Sequence, residues 1–156
     1  MLPVNESNGN TLHASAVKLP AGGVLLLGPS GSGKSRLAMQ LIDHYDAQLI
    51  ADDRVCLSVD GTSLRAAPPD NLAGLLELRG LGIVTMPYQP APINLAIDLV
   101  GRADVPRIAQ EKGFAHAGVQ VPRICLDGHD MASAAIIARA IALLPQAGFS
   151  PDGVYR

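Results

Sequence analysis

Eight consecutive residues, Gly28, Pro29, Ser30, Gly31, Ser32, Gly33, Lys34 and Ser35, have the types and spacing of a phosphate-binding loop, G-x-x-x-x-G-K-[ST]. Glycines at these positions let the backbone curl so that successive N–H groups point inward at phosphate oxygens. A lysine at position 34 would reach the β- and γ-phosphates of a nucleotide, and the Ser35 hydroxyl would sit on its Mg²⁺. The chemistry implied is binding of ATP with Mg²⁺ and transfer of its terminal phosphoryl group. Such a site needs a carboxylate for the metal and a group to orient or deprotonate the acceptor. Asp52 and Asp53, adjacent at the end of a short apolar run, could divide that work. A solvated turn in which Asp53 pairs with Arg54 is the structural alternative.

The elements around the loop must place it. Val24 to Leu27 form a short apolar run of the kind a buried parallel strand shows. Leu37, Ala38, Leu41, Ile42 and Tyr45 recur at helical spacing after the loop, which predicts a helix from about Lys34 to Tyr45. Strand, glycine loop and helix in this order put a helix N-terminus under an anion. Upstream, Thr11 to Leu19 reads as extended, and the turn at Pro20 to Gly23 predicts a hairpin into the loop. Downstream, Gln48 to Ala51 is a strand that ends on the two aspartates. Asp60-Gly61 marks a hairpin between Val55–Val59 and Thr62–Ala66. Ile93 to Val100 reads as a further strand. His129 to Leu144 reads as a helix with Met131, Ala134, Ala135, Ala138, Ile141 and Leu144 inside, stopped by Pro145 and Gly148.

Helices and strands alternate but hairpins intrude, so the expected fold is an α/β P-loop domain with a mixed rather than purely parallel sheet. Residues 1–10 are expected to be a loose tail, 11–148 a single domain and 149–156 a C-terminal tail. The chain has 156 residues, 48% of them apolar and only 17% charged. The low charge hints at surface buried in a homo-oligomer. A formal net charge of −2 with no basic run gives no reason to expect nucleic-acid binding. There is no signal-peptide pattern and no apolar run of membrane-spanning length, so a cytoplasmic protein without a membrane partner is expected. Cys56 and Cys125 lie in apolar runs and read as small buried hydrophobes.

Three further features remain open on chemistry alone. Glu77, between Leu76 and Leu78, is either a solvated strand face or a functional carboxylate. Arg79-Gly80-Leu81-Gly82 places two glycines in an apolar stretch, a sign of backbone that bends or approaches something closely. His13 is unremarkable by itself.

Taken together, the loop at 28–35, the stretch Ala51-Asp52-Asp53-Arg54-Val55, the run Leu76-Glu77-Leu78-Arg79-Gly80-Leu81-Gly82-Ile83 and the upstream His13 resemble the catalytic domain of the HPr kinase/phosphorylase family. The resemblance covers about residues 12–144 and corresponds to a short form without the family's N-terminal domain. It implies a fold similar to that of phosphoenolpyruvate carboxykinase and a hexameric assembly. It also implies ATP-dependent phosphorylation of a serine of the phosphocarrier protein HPr, with phosphorolysis of phosphoserine as the reverse reaction. On this resemblance Asp52 accepts the serine proton, Lys34 and His13 act in the active site, and Ser35 and Glu77 hold the metal, which leaves Asp53 as a further metal-side acid. A catalytic arginine beyond the signature run would match Arg107, with Arg102 as competitor. The family carries Glu where Arg36 stands after the loop. Its proline-, glycine- and arginine-containing loop before the last helix corresponds here to Ile124–Asp130, which is less basic and puts phosphorolysis in question. A small-molecule kinase and a non-catalytic ATP-binding regulator are the alternatives that share the same nucleotide site.

Overall fold

The computed structural model describes residues 11–156, so the expected tail at residues 1–10 lies outside the described residues. Ten strands and two helices make up the α/β fold: β1 (Thr11–Leu19), β2 (Gly22–Leu27), α1 (Lys34–His44), β3 (Gln48–Ala51), β4 (Arg54–Asp60), β5 (Ser63–Ala67), β6 (Leu75–Leu78), β7 (Gly82–Thr85), β8 (Ala91–Leu99), β9 (Gly113–His116), β10 (Val119–Leu126) and α2 (Ser133–Ala147). The sheet is mixed, as the intruding hairpins imply. β2 runs antiparallel to β1 and parallel to β8, and β8 is parallel to β10. β3 on β1 and β9 on β10 are antiparallel edge pairings, and β1 with β4, β4 with β5 and β5 with β8 are antiparallel too. These pairings form a closed circuit, β2–β1–β4–β5–β8 and back to β2. A separate two-stranded sheet, β6–β7, stands beside it.

Strand alternation sorts the apolar side chains into two cores. Val17, Leu19, Val24 and Leu26 face α1 and α2, where Leu37, Leu41, Ile137 and Ile141 pack on them. Ala14, Ala16, Leu25 and Leu27 face the other way, onto Ile50, Val55, Leu64 and Ile93. β8 explains why its sequence alternates only loosely. Its pairing with β2 steps from Gly23↔Ile93 to Val24↔Leu95, with Asn94 as the extra residue. Ala91 and Ile93 therefore line one core while Leu95, Ile97 and Leu99 line the other. The Asn94 Oδ1 accepts from the Gly23 N–H at 3.2 Å and holds the bulge.

The last helix departs from its sequence reading at both ends. It begins at Ser133, because Asp130 accepts from the Ala132 N–H at 2.8 Å and the Ser133 Oγ donates to the Asp127 carbonyl at 2.6 Å. Met131 precedes the helix and is 86% exposed, so it is not on the inner face. The buried stripe is Ala134, Ile137, Ala140, Ile141 and Leu144, with Ala138 only partly buried. Pro145 does not stop the helix. So near the end a proline removes one helical bond, and the Gly148 N–H closes the final turn on the Leu144 carbonyl. Residues 149–156 are not a free tail either, since Phe149 and Tyr155 pack against the first core.

Between β8 and β10, Asp98 accepts two 2.7 Å hydrogen bonds from Arg123 and one of 3.3 Å from Lys112. Burial is the largest single influence on the Asp98 carboxyl and pushes it up, but the bonds and charges of Arg123 and Lys112 together outweigh it and hold it below its ordinary value. A carboxylate held down in the folded state contributes stability above its unfolded pKa and loses that contribution as pH falls through its folded value. Asp98→Asn should therefore cost about 2 kcal/mol of unfolding free energy near neutrality. In urea titrations the gap to wild type should close below about pH 4. A gap unchanged down to strongly acid pH would trace the loss to packing rather than charge.

Candidate functional site

The glycine loop joins β2 to α1 and has the backbone its sequence demands. Gly31 and Gly33 take φ of 83° and 95°, and Gly33 caps the helix in the left-handed region, which a side chain would strain. Lys34 is the first helical residue and is only 7% exposed. Its ammonium donates to the Gly28 and Pro29 carbonyls at 2.6 and 3.0 Å. Burial lowers the Lys34 pKa below its ordinary value, and the charges of Asp53 and Asp52 act in the opposite direction.

The two aspartates occupy a break between strands. β3 and β4 both pair with β1, through Ala16↔Ala51 and His13↔Arg54. Between these registers the chain kinks, with Asp53 at φ 69° and the Arg54 N–H donating to the Asp52 carbonyl at 2.8 Å. Aspartate tolerates this left-handed conformation better than most side chains do. The kink sends the two carboxylates to different surroundings. Asp52 is 4% exposed. Its Oδ1 accepts from the fully buried Ser15 hydroxyl at 2.6 Å, the Ser35 hydroxyl approaches its two oxygens at 2.8 and 2.9 Å, and the Glu77 N–H donates to Oδ2 at 3.3 Å. Asp53 is 64% exposed and lies 3.3 Å from His13 Nε2.

A cleft of about 720 Å³ opens over the loop. It is lined by Ser30, Lys34, Ser35 and Arg36 from the loop and α1, by His13 and Asp53, by Glu77 to Leu81 of the β6–β7 hairpin, and by His129. Asp52 is not among its lining residues. Asp52, expected to face the acceptor, is turned beneath Ser35 and covered by three donors. Asp53, expected on the metal side, is the acid that faces the open cleft. Glu77 is exposed on β6, and its backbone rather than any packing ties it to Asp52. Arg107 and Arg102 are exposed on the segment between β8 and β9 and do not line the cleft. The arginines that do are Arg36 and Arg79.

His129 escaped the sequence reading. Its signal was its place, in the short turn between β10 and α2, directly after the Asp127-Gly128 pair.

The donors present fit the ligands that the motif implies. Asp52 receives its hydrogen bonds from neutral groups only, and beside it stands a hydroxyl, so the local donor set is hard oxygen, the kind Mg²⁺ takes. Glu77, whose main chain meets Asp52, would supply a further carboxylate. Within the loop, the Ser32 hydroxyl is buried with no hydrogen-bond partner among the described residues. A phosphate oxygen would satisfy it.

A family model described as HPr serine kinase C-terminal domain matches residues 6–142. The chain belongs to that family. Among curated relatives, the HPr kinase/phosphorylase of Lactobacillus acidophilus is 33% identical over 128 residues, covering 74% of this chain and 39% of the relative. The HPr kinase/phosphorylase of Malacoplasma penetrans is 36% identical over 97 residues, 57% of this chain and 32% of the relative. The chain thus spans well under half the length of these relatives. The solved structure of the HPr(Ser) kinase/phosphatase from Coxiella burnetii superposes with a TM-score of 0.74 at 25% identity, covering 84% of this chain and 93% of that one. The α/β mixed-sheet architecture expected from the sequence is therefore the family's own.

The Ser15 hydroxyl is 0% exposed and serves a carboxylate that is itself buried. Ser15→Ala leaves that oxygen short of one donor, so unfolding free energy should fall by about 2 kcal/mol in chemical denaturation. An unchanged midpoint would mean that the Ser35 and Glu77 donors already satisfy Asp52.

Proposed function

We propose that this chain is an ATP- and Mg²⁺-dependent protein-serine kinase whose acceptor is a serine of HPr or a related phosphocarrier. One observation carries the reading beyond family membership: the cleft that holds Lys34 and Ser35 also holds an open acid–imidazole pair, Asp53 and His13, 3.3 Å apart. A protein that only bound nucleotide would have no use for an exposed acid facing the loop in this way. No lining residue sets aside a closed compartment for a small acceptor, and the hairpin side of the cleft is open at Leu81, 76% exposed. That favours an acceptor presented by another protein.

In this reading the loop amides and Lys34 hold the nucleotide phosphates, and Ser35, Asp52 and Glu77 hold the metal. When bound, Mg²⁺ neutralises charge on the phosphates as it builds during transfer. Asp53 orients the serine hydroxyl and receives its proton as the new Oγ–P bond forms and the bond to the bridging oxygen of ATP breaks. His13 keeps the Asp53 carboxylate aimed. A loose phosphoryl-transfer transition state asks more for alignment and charge than for a strong base, which suits an aspartate. The division differs from the sequence expectation: Asp52 serves the metal side and Asp53 the acceptor. The same groups run backward when inorganic phosphate attacks phosphoserine, with Asp53 returning the proton and pyrophosphate leaving. The reading also places the protein in the cytoplasm as a homo-oligomer; among the described residues, no helix is long and apolar enough to cross a membrane.

The test is transfer of label from ATP, with Mg²⁺, to purified HPr-type carriers, using a carrier without its acceptor serine as control and inorganic phosphate as chase. Serine-dependent labelling is expected, and release of label as pyrophosphate would establish the reverse reaction. Asp53→Asn should keep nucleotide binding and lose transfer by about 10²- to 10⁴-fold. Asp52→Asn should instead weaken Mg²⁺-dependent nucleotide binding. The opposite pattern in the two variants would reverse the assignment. Binding of ATP with no labelling of any carrier would overturn the kinase reading in favour of a nucleotide-binding regulator.

A further inference from the structure

His129 reaches across from the turn after β10 and places its Nε2 2.8 Å from the carbonyl oxygen of Gly31, at the tip of the phosphate loop. A carbonyl only accepts, so Nε2 carries the proton in this contact. The turn that presents the ring is built to stay there. The His129 N–H donates to Asp127 Oδ1 at 2.9 Å, and the Asp127 carbonyl accepts from the buried Ser133 at 2.6 Å, which ties the turn to the start of α2. Gly128 lies against the loop itself. A Cβ at position 128 would sit 2.0 Å from the Ser32 carbonyl oxygen, and one at Gly33 would sit 2.7 Å from the Gly128 carbonyl oxygen. Only two facing glycines let the backbones come this close. Lys34 meanwhile engages the carbonyls at the loop's other end, Gly28 and Pro29. The stretch from the Pro29 anchor to Lys34 contains Gly31, itself held by His129, and Gly33, both at positive φ.

We propose that His129 is a positioning residue that latches the Gly31 carbonyl, so that the phosphate loop, with its Ser32 N–H on the Pro29 carbonyl at 3.1 Å, is already ordered before nucleotide arrives. A carbonyl and the following amide belong to one rigid peptide plane. Fixing the Gly31 oxygen therefore fixes the direction of the Ser32 N–H. The latch spares nucleotide binding the entropy of ordering a glycine-rich segment, the ordinary advantage of preorganisation. The inference rests on the nucleotide reading of the loop for its consequence, but the latch itself is a property of the ligand-free protein.

Two measurements on the full chain separate these. Amide hydrogen exchange of the ligand-free protein reads the latch directly: His129→Ala should speed exchange in the peptide spanning residues 30–34, while His129→Gln, which keeps a donor at similar reach, should leave it near wild type. Calorimetric titration with Mg²⁺·ADP reads the consequence. His129→Ala should weaken binding about fivefold, the equivalent of one ordinary hydrogen bond, and His129→Gln should recover most of it. Unchanged exchange in His129→Ala, or a glutamine variant as impaired as alanine, would overturn the latch. Faster exchange in His129→Ala with no Mg²⁺·ADP binding by wild type would uphold the latch and sink the nucleotide reading alone.

Discussion

A single buried carboxylate organises this molecule. Asp52 is almost wholly removed from water, and its carboxyl oxygens must be met by donors or the fold bears the cost of burying unpartnered polar atoms. The donors come from three separate elements: Ser15 on β1, Ser35 at the first turn of α1, and the main chain of Glu77 on β6. One group thus fixes the sheet, the phosphate loop and the signature hairpin relative to each other. All three donors are neutral groups.

The sheet makes that arrangement possible by letting one strand serve two partners in succession. β1 pairs first with β4 and then with β3, and the two-residue break between them is where Asp52 and Asp53 sit. A continuous strand would alternate its side chains regularly between the two faces. At the kink the two neighbouring carboxylates sit in opposite environments, Asp52 covered and Asp53 open. The closure of β2–β1–β4–β5–β8 around the second core holds the break rigid, and the extra residue Asn94 lets β8 turn its apolar side chains from that core to the helical one.

The cleft takes its walls from the shorter pieces. The β6–β7 hairpin contributes Arg79 and Leu81, and the turn before α2 contributes His129. Both also meet the site through the backbone, Glu77 N–H to Asp52 and Gly128 against Ser32 and Gly33, while Leu76 of β6 is fully buried.

Much of this was legible in the residues alone. The phosphate loop is a local device, with its glycines, lysine and serine specified by backbone conformations that lie within eight positions, so its sequence suffices to recognise it. The flanking strands and α1 were readable for the same reason, because their apolar periodicity reports burial on one face. What the sequence left undetermined depended on contacts distant along the chain. The two aspartates are adjacent and chemically identical, and only the registers of β3 and β4 on β1 decide which one is buried under Ser35 and which one faces His13. Arg107 had the right residue type but is exposed and does not line the cleft, while His129 arrives there from 98 residues beyond Gly31. Local sequence encodes the shape of each piece. Tertiary packing decides which charge is covered and which is open, since burial and hydrogen bonding are properties of the assembled neighbours rather than of the residue.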